Sequence, residues 1–335
     1  MKLGYFVGNQ YLSAESAADR IRENLEQVGT ARDARFDLIC AGQHYLSDPY
    51  QMPATFPLLA RLASEAGDMH LAATVILVPL HNPVDLAESV ATMDAATGGK
   101  FIFGIGLGYR EEEYIAFGIK REERVPRMLE SLEIMKGLWT KDRMEYEGRF
   151  YRVPPVTPSF PPTQKPHPPI WMAANHDKAV MRAAELGYPW LVNPHATVTM
   201  VDQQLARYRE VASTTSGPGG TQVPMMREAY VAATREQAMA EAQPYLEPKY
   251  RAYAQWGQDK ALPGNESFHV PFEDLARDRF IIGTPDDIVS ELRHYEDHLG
   301  VSHMILRMQW PGMEHARVLK QLETMGRDVI PRLKA

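Results

Sequence analysis

Short apolar stretches alternate along the chain with longer amphipathic ones. Each apolar stretch is nearly unbroken by polar residues, which is typical of parallel strands buried on both faces of a sheet. The pattern predicts eight strands, at residues 3–7, 36–41, 70–78, 101–106, 170–174, 190–193, 225–233 and 302–308. Helices are predicted between them, because the apolar positions there recur with the helical period of about 3.6 residues. The chain therefore consists of about eight strand–helix units.

Helix starts are marked by proline and by capping residues. The helix predicted at residues 124–139 has Pro126 in its first turn, where proline is well tolerated. A helix predicted from Thr284 to about Leu299 has a capping threonine, then Pro285, then two acidic residues near the positive end of its dipole. These signals support a regular alternation of strands and helices.

This alternation predicts a (β/α)8 barrel, the TIM-barrel architecture. Right-handed crossovers between adjacent parallel strands close most naturally in this way. A doubly wound sheet is the alternative, but it usually has a glycine-rich first turn, and residues 7–11 (VGNQY) offer none. Residues 140–169 are rich in proline and cannot form a regular helix or a central strand, so they are predicted to be a surface excursion. The chain is expected to form one domain over residues 1–335.

Composition and charge exclude several classes of protein. The 36 basic and 43 acidic side chains give a net charge of −7, and no basic cluster suited to nucleic acid is present. The longest apolar run, at residues 72–80, is far shorter than the ~20 residues of a membrane span. The N-terminus lacks the apolar core of a signal peptide, and Cys40 is the single cysteine, which excludes an intrachain disulfide. We expect a cytoplasmic protein that binds neither nucleic acid nor membranes.

Candidate chemistry lies just after the predicted strands, where barrel enzymes place their active sites. Imidazoles, amides and aromatic rings occur there, but no pair of acids suited to glycoside hydrolysis and no G-x-S-x-G motif. His44, three residues beyond the second strand, is the main candidate for an acid, a base or a hydrogen-bond donor. Gln43 is placed to orient it. A purely structural loop histidine is the alternative, and position alone does not decide.

Two arginines at the start of one helix suggest an anion site. Arg124 and Arg127 lie where positive charge is unfavourable, and a phosphate would explain them. Ion pairs with Glu122, Glu123 or Glu130 are the simpler explanation at this stage.

Two further segments suit a ligand. Residues 173–178 (AANHDK) join a strand end to a helix N-terminus, whose free amides favour an anion, although Asp177 can cap the helix instead. Residues 103–109 (FGIGLGY) contain three glycines that let the backbone approach a flat ligand, although plain packing is the alternative.

No metal site is predicted. His294 and His298 are four residues apart on one helix but have no further ligands in the sequence pattern. Glu111, Glu112 and Glu113 are predicted to form a solvated face.

Taken in order, these segments resemble the bacterial luciferase-like superfamily of flavin- and deazaflavin-dependent oxidoreductases. The resemblance covers essentially the whole chain, and the proline-rich excursion is itself a feature of that superfamily. The segments that carry it are FDLICAGQHYLSD, HLAATVILVPLHNPVDLAE, GGKFIFGIGLGYREEEYIAFGI, REERVPRMLESLEIMKGLW, EGRFYRV with PPTQKPHPPIWMAAN, and GTPDDIVSEL.

The resemblance implies a barrel with an insertion before the eighth strand and a flavin across its C-terminal mouth. It implies that His44 serves the oxygen chemistry and that Thr74–Val75 is a non-prolyl cis peptide against the flavin ring. The cofactor-binding residues implied in addition are Gly106 and Tyr109 near the ring, and Arg124, Arg127, Asn175 and His176 near the phosphate.

Some positions depart from the luciferase pattern. Gln43 stands in place of a carboxylate, Gly106 in place of a reactive cysteine, and Leu107 in place of an arginine, although Arg110 lies close. Light emission is therefore not expected, and the choice of cofactor stays open.

The sequence thus predicts a two-component flavin monooxygenase. It would use reduced FMN and O2 on an apolar or carbonyl-containing small molecule, with the flavin supplied by a separate reductase because no nicotinamide fingerprint is present. Residues 235–280 are expected to hold a lid or insertion, with the lid at 255–276. The resemblance implies a homodimer. A deazaflavin-dependent hydride-transfer enzyme is the alternative.

Overall fold

A curled sheet of nine parallel strands forms the centre of the protein. The computed structural model describes residues 1–263 and 267–334. The strands of this sheet are β1 (Lys2–Phe6), β2 (Leu38–Ala41), β3 (His70–Leu77), β4 (Phe101–Gly106), β5 (Ile170–Ala173), β6 (Trp190–Leu191), β7 (Pro224–Val231), β8 (Ile281–Gly283) and β9 (His303–Arg307). Their order in the sheet is β6-β5-β4-β3-β2-β1-β9-β7-β8.

The curl of the sheet brings its two sides together. Val192, directly after β6, forms a parallel bridge with Met225 of β7. The Val192 amide donates to the Pro224 carbonyl at 2.9 Å, and the Met226 amide donates to the Val192 carbonyl at 3.0 Å. This α/β arrangement is consistent with the predicted barrel. The short strand β8 pairs on the outer side of β7 and was not predicted, and the insertion before the last strand stays a prediction.

Helices follow most strands. They are α1 (Ala17–Asp33), α2 (Thr55–Ala66), α3 (Pro83–Ala96), α4 (Glu111–Ala116), α5 (Arg124–Thr140), α6 (Asp177–Glu185), α7 (Val198–Ala212), α8 (Arg235–Gln255), α9 (Phe272–Ala276), α10 (Pro285–Leu299), α11 (His315–Thr324) and α12 (Ile330–Leu333). The predicted cap of α10 is confirmed: Thr284 and Asp287 form a reciprocal capping box. The last helix, predicted to be continuous, is interrupted by a π-turn at Met325–Val329.

The proline-rich excursion lies outside the central sheet, as predicted. It contains an antiparallel hairpin of Met144–Glu147 and Arg152–Val156, which the sequence pattern did not indicate. Met144 and Val153 pack against Ile134 of α5. The excursion is thus attached to the helix that begins at Arg124.

Apolar side chains fill both faces of the curled sheet. The larger cluster lies between the strands and the helices. A smaller one uses alternate strand residues on the other face, including Phe6, Trp171 and Met226. Because apolar side chains pack against both faces, the strands are held in place, and side chains at their carboxyl ends have defined positions.

In the described ranges, no helix has both the length and the apolar character to cross a membrane.

Candidate active site

A cavity of about 790 Å³ opens at the carboxyl ends of the strands. Its size is typical of small-molecule and cofactor sites. The structure brings eight of the nine predicted site residues to its lining, namely His44, Thr74, Val75, Gly106, Tyr109, Arg124, Asn175 and His176. Arg127 is the exception.

His44 is held at the cavity by a buried carboxylate. Its Nδ1 lies 3.0 Å from Oε1 of Glu113, which also accepts from the Tyr45 amide at 2.8 Å. A carboxylate accepts hydrogen bonds, so this contact assigns the imidazole hydrogen to Nδ1. The other nitrogen, Nε2, lies 3.5 Å from the Tyr109 hydroxyl. Burial, and then Tyr253 and Glu113, raise the pKa of Tyr109 well above its usual value, so its phenol keeps its proton.

The prediction for Glu113 is wrong. Rather than lying on a solvated face with Glu111 and Glu112, its side chain is 1% exposed. The helix α4 is short, and Glu113 is on the side that faces the barrel, where Arg110 approaches it to 4.0 Å. A three-residue acidic run does not reveal which member points inward, because successive residues point 100° apart around a helix.

Gln43 does not orient His44. Its carbonyl oxygen accepts from the Leu77 amide at 2.9 Å and lies 3.1 Å from His81, and its amide group donates to the Tyr45 hydroxyl at 2.9 Å. Gln43 therefore ties the loop after β2 to the end of β3. The orienting group is Glu113, from a helix 69 residues further along the chain.

Strands β3 and β4 pack closely at one wall of the cavity. The peptide bond Thr74–Val75 is cis, as expected from the resemblance. A Cβ on Gly104 would lie 2.2 Å from the Ala73 carbonyl oxygen, and one on Gly106 would lie 2.7 Å from a methyl group of Val75. The glycines of FGIGLGY therefore permit close strand packing here, and Gly106 leaves Val75 as the surface that a planar ligand would meet.

A group of cations lines one side of the cavity mouth, which we call the cationic rim. Its members are Arg121, Arg124, Lys178 and Arg182. The rim also includes the N-terminus of α6, which begins at Asp177. Asp177 also lines the cavity, and its carboxylate accepts from Gln204 at 2.8 Å and from Arg207 at 3.1 Å. The rim therefore suits an anionic group such as a phosphate.

Arg127 faces away from this rim. Its guanidinium contacts the Glu123 carboxylate at 2.9 Å and lies 4.5 Å from the Phe150 ring centroid. This is the ion pair that the sequence offered as the simpler explanation, with an added ring contact from the excursion. Arg124, three residues earlier on the same helix, does line the cavity.

Several polar or charged lining residues were not singled out from the sequence. Three of them, His195, Tyr253 and Arg307, lie close to one another. Burial, and then the charges of Lys249 and Arg307, lower the pKa of His195 well below its usual value, so this imidazole is neutral. A signal for Arg307 existed, because a charged residue inside an otherwise apolar strand needs a buried partner.

The chain after α8 covers part of the mouth. Gly257, Gln258, Lys260, Ala261 and Pro263 line the cavity. Trp256 donates its indole hydrogen to the Asp48 carbonyl at 2.9 Å and lies 5.5 Å from the His44 ring, centroid to centroid. Of the lid predicted at 255–276, residues 264–266 lie outside the described residues.

The curled parallel sheet, with its cavity at the strand ends, defines an α/β protein of the barrel type with one cofactor-sized site at its mouth. The model of the luciferase-like monooxygenase family matches residues 1–303, and the chain belongs to that family. The resemblance noted in the sequence is thereby confirmed.

Curated relatives span the full chain. The oxygenase component of a flavin-dependent trigonelline monooxygenase from Acinetobacter baylyi is 23% identical over 99% of this chain and 95% of that protein. An F420-dependent glucose-6-phosphate dehydrogenase from Segniliparus rotundus is 23% identical over 100% of this chain and 98% of that protein. These two relatives are thus oxidoreductases, one flavin-dependent and one F420-dependent.

Solved structures share the fold. The monooxygenase RslO1 from Streptomyces bottropensis matches with a TM-score of 0.87 at 23% identity, over 99% of both chains. The oxygenating constituent of 3,6-diketocamphane monooxygenase from Pseudomonas putida, solved with FMN, matches with a TM-score of 0.79 at 18% identity, also over 99% of both chains.

Proposed function

We propose that this protein is the oxygenase component of a two-component flavin monooxygenase. It uses reduced FMN and O2 to oxidise an apolar or carbonyl-containing small molecule, and a separate reductase supplies the reduced FMN. The observation that carries the proposal is the position of His44: held by the buried Glu113 carboxylate, it lines the same cavity as the cationic rim.

The cavity has the parts that FMN requires. The cationic rim and the N-terminus of α6 provide for the phosphate, with Arg124 and Lys178 in direct reach of the cavity. The wall at Thr74–Val75 and Gly106, where Gly106 carries no side chain, provides for the planar ring system. In this arrangement Arg124 keeps its predicted phosphate role, while that of Arg127 passes to Lys178 and Arg182. When bound in reduced form, FMN supplies the electrons with which O2 is activated.

The chain's own groups control protons and water. Glu113 holds the hydrogen of His44 on Nδ1, so Nε2 faces the cavity and can accept a proton and return it at one defined point. The Tyr109 hydroxyl lies 3.5 Å from Nε2 and can donate to it. Phe6, Leu191 and Met226 make the inner lining apolar, and the chain at 257–263 closes part of the mouth. A site of this kind excludes water during oxygen chemistry.

The test combines activity with binding. The protein is supplied with FMN, NADH, a purified flavin reductase and ¹⁸O2, and a panel of ketones, aldehydes and apolar aromatic compounds is screened for ¹⁸O in the product. With a substrate in hand, His44→Ala should abolish labelled product while FMN affinity stays within about twofold. His294→Ala, on the outer face of α10, is the matched control. Normal product formation by His44→Ala contradicts the proposal.

A deazaflavin enzyme is the second candidate. The F420-dependent relative, aligned over the whole chain, favours it, and the cationic rim suits the phosphate of F420 equally well. Titration of the purified protein with FMN and with F420, followed by fluorescence, separates the two. Tight binding of F420 without binding of FMN would assign the chain to hydride transfer.

The quaternary structure and cellular location belong to the proposal as well. We propose that the protein is cytoplasmic and forms a homodimer. Sedimentation equilibrium of the purified protein tests the dimer directly. A monomer at micromolar concentration contradicts the dimer.

A further inference from the structure

A second cationic group lines the cavity, separate from the cationic rim. Arg307 ends β9, and the parallel register places it beside Phe6 of β1 on one side and Glu228 of β7 on the other. Its side chain lines the cavity although it is only 7% exposed. The guanidinium lies 4.6 Å from the Phe6 ring centroid.

The hydrogen bonds of Arg307 are incomplete. Its terminal nitrogens reach the Tyr253 hydroxyl at 3.4 Å and Gln10 Oε1 at 3.3 Å, both long for a charged donor. Its Nε–H has no acceptor among the described residues. A buried guanidinium donor without an acceptor is costly, so this side chain is prepared for a further partner.

The charges around Arg307 leave positive potential. Glu228 accepts from Lys249 and from the Trp310 indole at 2.6 Å, and it lies 4.0 Å from Arg307. Among the ion pairs of the described residues, Glu228 is the only acidic partner of Lys249 and of Arg307. Burial first, and then the charge of Arg307, lower the pKa of Lys249 to about 7. A bound anion would relieve this excess.

This group differs from the cationic rim. The rim belongs to α5, α6 and the turn before α5, whereas Arg307, Tyr253 and Gln10 belong to β9, α8 and the loop after β1. An FMN phosphate at the rim would therefore engage residues other than these three, and Arg307 would still share the single Glu228 carboxylate with Lys249.

We propose that Arg307, with Tyr253 and Gln10, binds the carboxylate of the substrate, so that the oxidised compound is a small organic acid. This inference rests on the proposed function for its chemical context. The two oxygens of a planar carboxylate can accept two parallel hydrogen bonds from a guanidinium. A neutral amide or an alcohol has a single acceptor oxygen and cannot form this bidentate pair. His195 is neutral at this position and adds a hydrogen-bonding group without further charge.

The test uses flavin-free protein, so that it does not depend on the reaction. Benzoate is the anionic probe and benzamide its neutral counterpart of the same shape, each titrated by calorimetry. Benzoate should bind at least tenfold more tightly than benzamide. Arg307→Lys should weaken benzoate about tenfold, because lysine lacks the forked donor edge. Tyr253→Phe removes one phenol hydroxyl from the same group and should weaken benzoate by a smaller factor.

Control measurements distinguish the other sources of an anion. Arg124→Met, at the rim, should leave benzoate affinity within about twofold, and Arg307→Lys should leave FMN affinity within about twofold. Equal binding of benzoate and benzamide overturns the inference, as does loss of benzoate binding in Arg124→Met alone. A loss of FMN affinity in Arg307→Lys would assign Arg307 to the cofactor. Far-ultraviolet circular dichroism confirms folding of Arg307→Lys, and Tyr253→Phe provides the independent test if that variant does not fold.

Failure of the proposed function has a different signature. If the protein binds neither FMN nor F420 yet binds benzoate through Arg307, the carboxylate site is supported and the proposed flavin chemistry is refuted.

Discussion

Two arginines on one helix turn should differ sharply in their effect on FMN binding. Arg124 lines the cavity, and its NH1 donates to the Arg121 carbonyl at 2.7 Å. Arg127 is occupied by Glu123 and lies against Phe150. We expect Arg124→Met to weaken FMN binding and Arg127→Met to leave it nearly unchanged.

The magnitude follows from the charge on the phosphate. A hydrogen bond to a charged group contributes about 1.5–3 kcal/mol, and 1.4 kcal/mol corresponds to a tenfold change in Kd. Arg124 is only partly buried, so we take the lower end and expect Kd for FMN to rise about tenfold. Arg127→Met breaks a partly exposed ion pair and should cost about 1 kcal/mol of stability or less, with Kd changed less than about twofold.

Quenching of flavin fluorescence measures both variants, with riboflavin as the control ligand because it lacks the phosphate. Neither substitution should change the Kd for riboflavin appreciably. The difference for FMN should shrink at high salt, because exposed charges are screened. An equal loss of FMN affinity in both variants, or an equal loss of riboflavin affinity in Arg124→Met, would refute the assignment of the rim.

Three further predictions concern the site and the fold. Glu113→Gln should lower product formation about 10-fold, since the amide oxygen still accepts from His44 but the hydrogen bond loses its charged acceptor, whereas Glu112→Gln, on the exposed side of the same helix, should be neutral in the ¹⁸O assay. Gly106→Ala should weaken flavin binding and lower the Tm, because its Cβ would meet Val75 at 2.7 Å; an unchanged Kd and Tm would mean that Val75 turns aside freely. Burial, mainly, lowers the pKa of His303 from 6.5 to about 4, so the unfolded chain takes up a proton first as the pH falls below about 6.5, and stability is lost between about pH 6.5 and pH 4. Urea unfolding across this range should show a weaker pH dependence for His303→Gln than for the wild type.

The barrel elements were predictable because their signals are local. Unbroken apolar runs mark the strands, and the cap at Thr284 marks α10 in both sequence and structure. Strand β8 was not predicted, because its three residues, Ile281–Gly283, are too few to show a periodic pattern. It pairs only at the outer side of β7.

The site was predictable as far as it follows the strand ends. His44 and Gly106 come directly after β2 and at the end of β4, where barrel sites are expected. The partners of these residues were not predictable, because they come from distant parts of the chain. Glu113 reaches His44 from 69 residues away, and Arg127 contacts Phe150 of the excursion and is absent from the cavity lining. Packing between distant segments decides such orientations.

Trp256 gives the protein a built-in optical reporter of its mouth. The other four indoles, Trp139, Trp171, Trp190 and Trp310, are at most 4% exposed within the core. Trp256 instead lies against His44, with the Arg110 guanidinium 4.5 Å from its ring centroid. A ligand that displaces the chain after α8 changes the surroundings of this indole while the buried four stay constant. A change in tryptophan emission on ligand binding would therefore report mainly on Trp256, and it would time any movement of the chain after α8 without an attached dye.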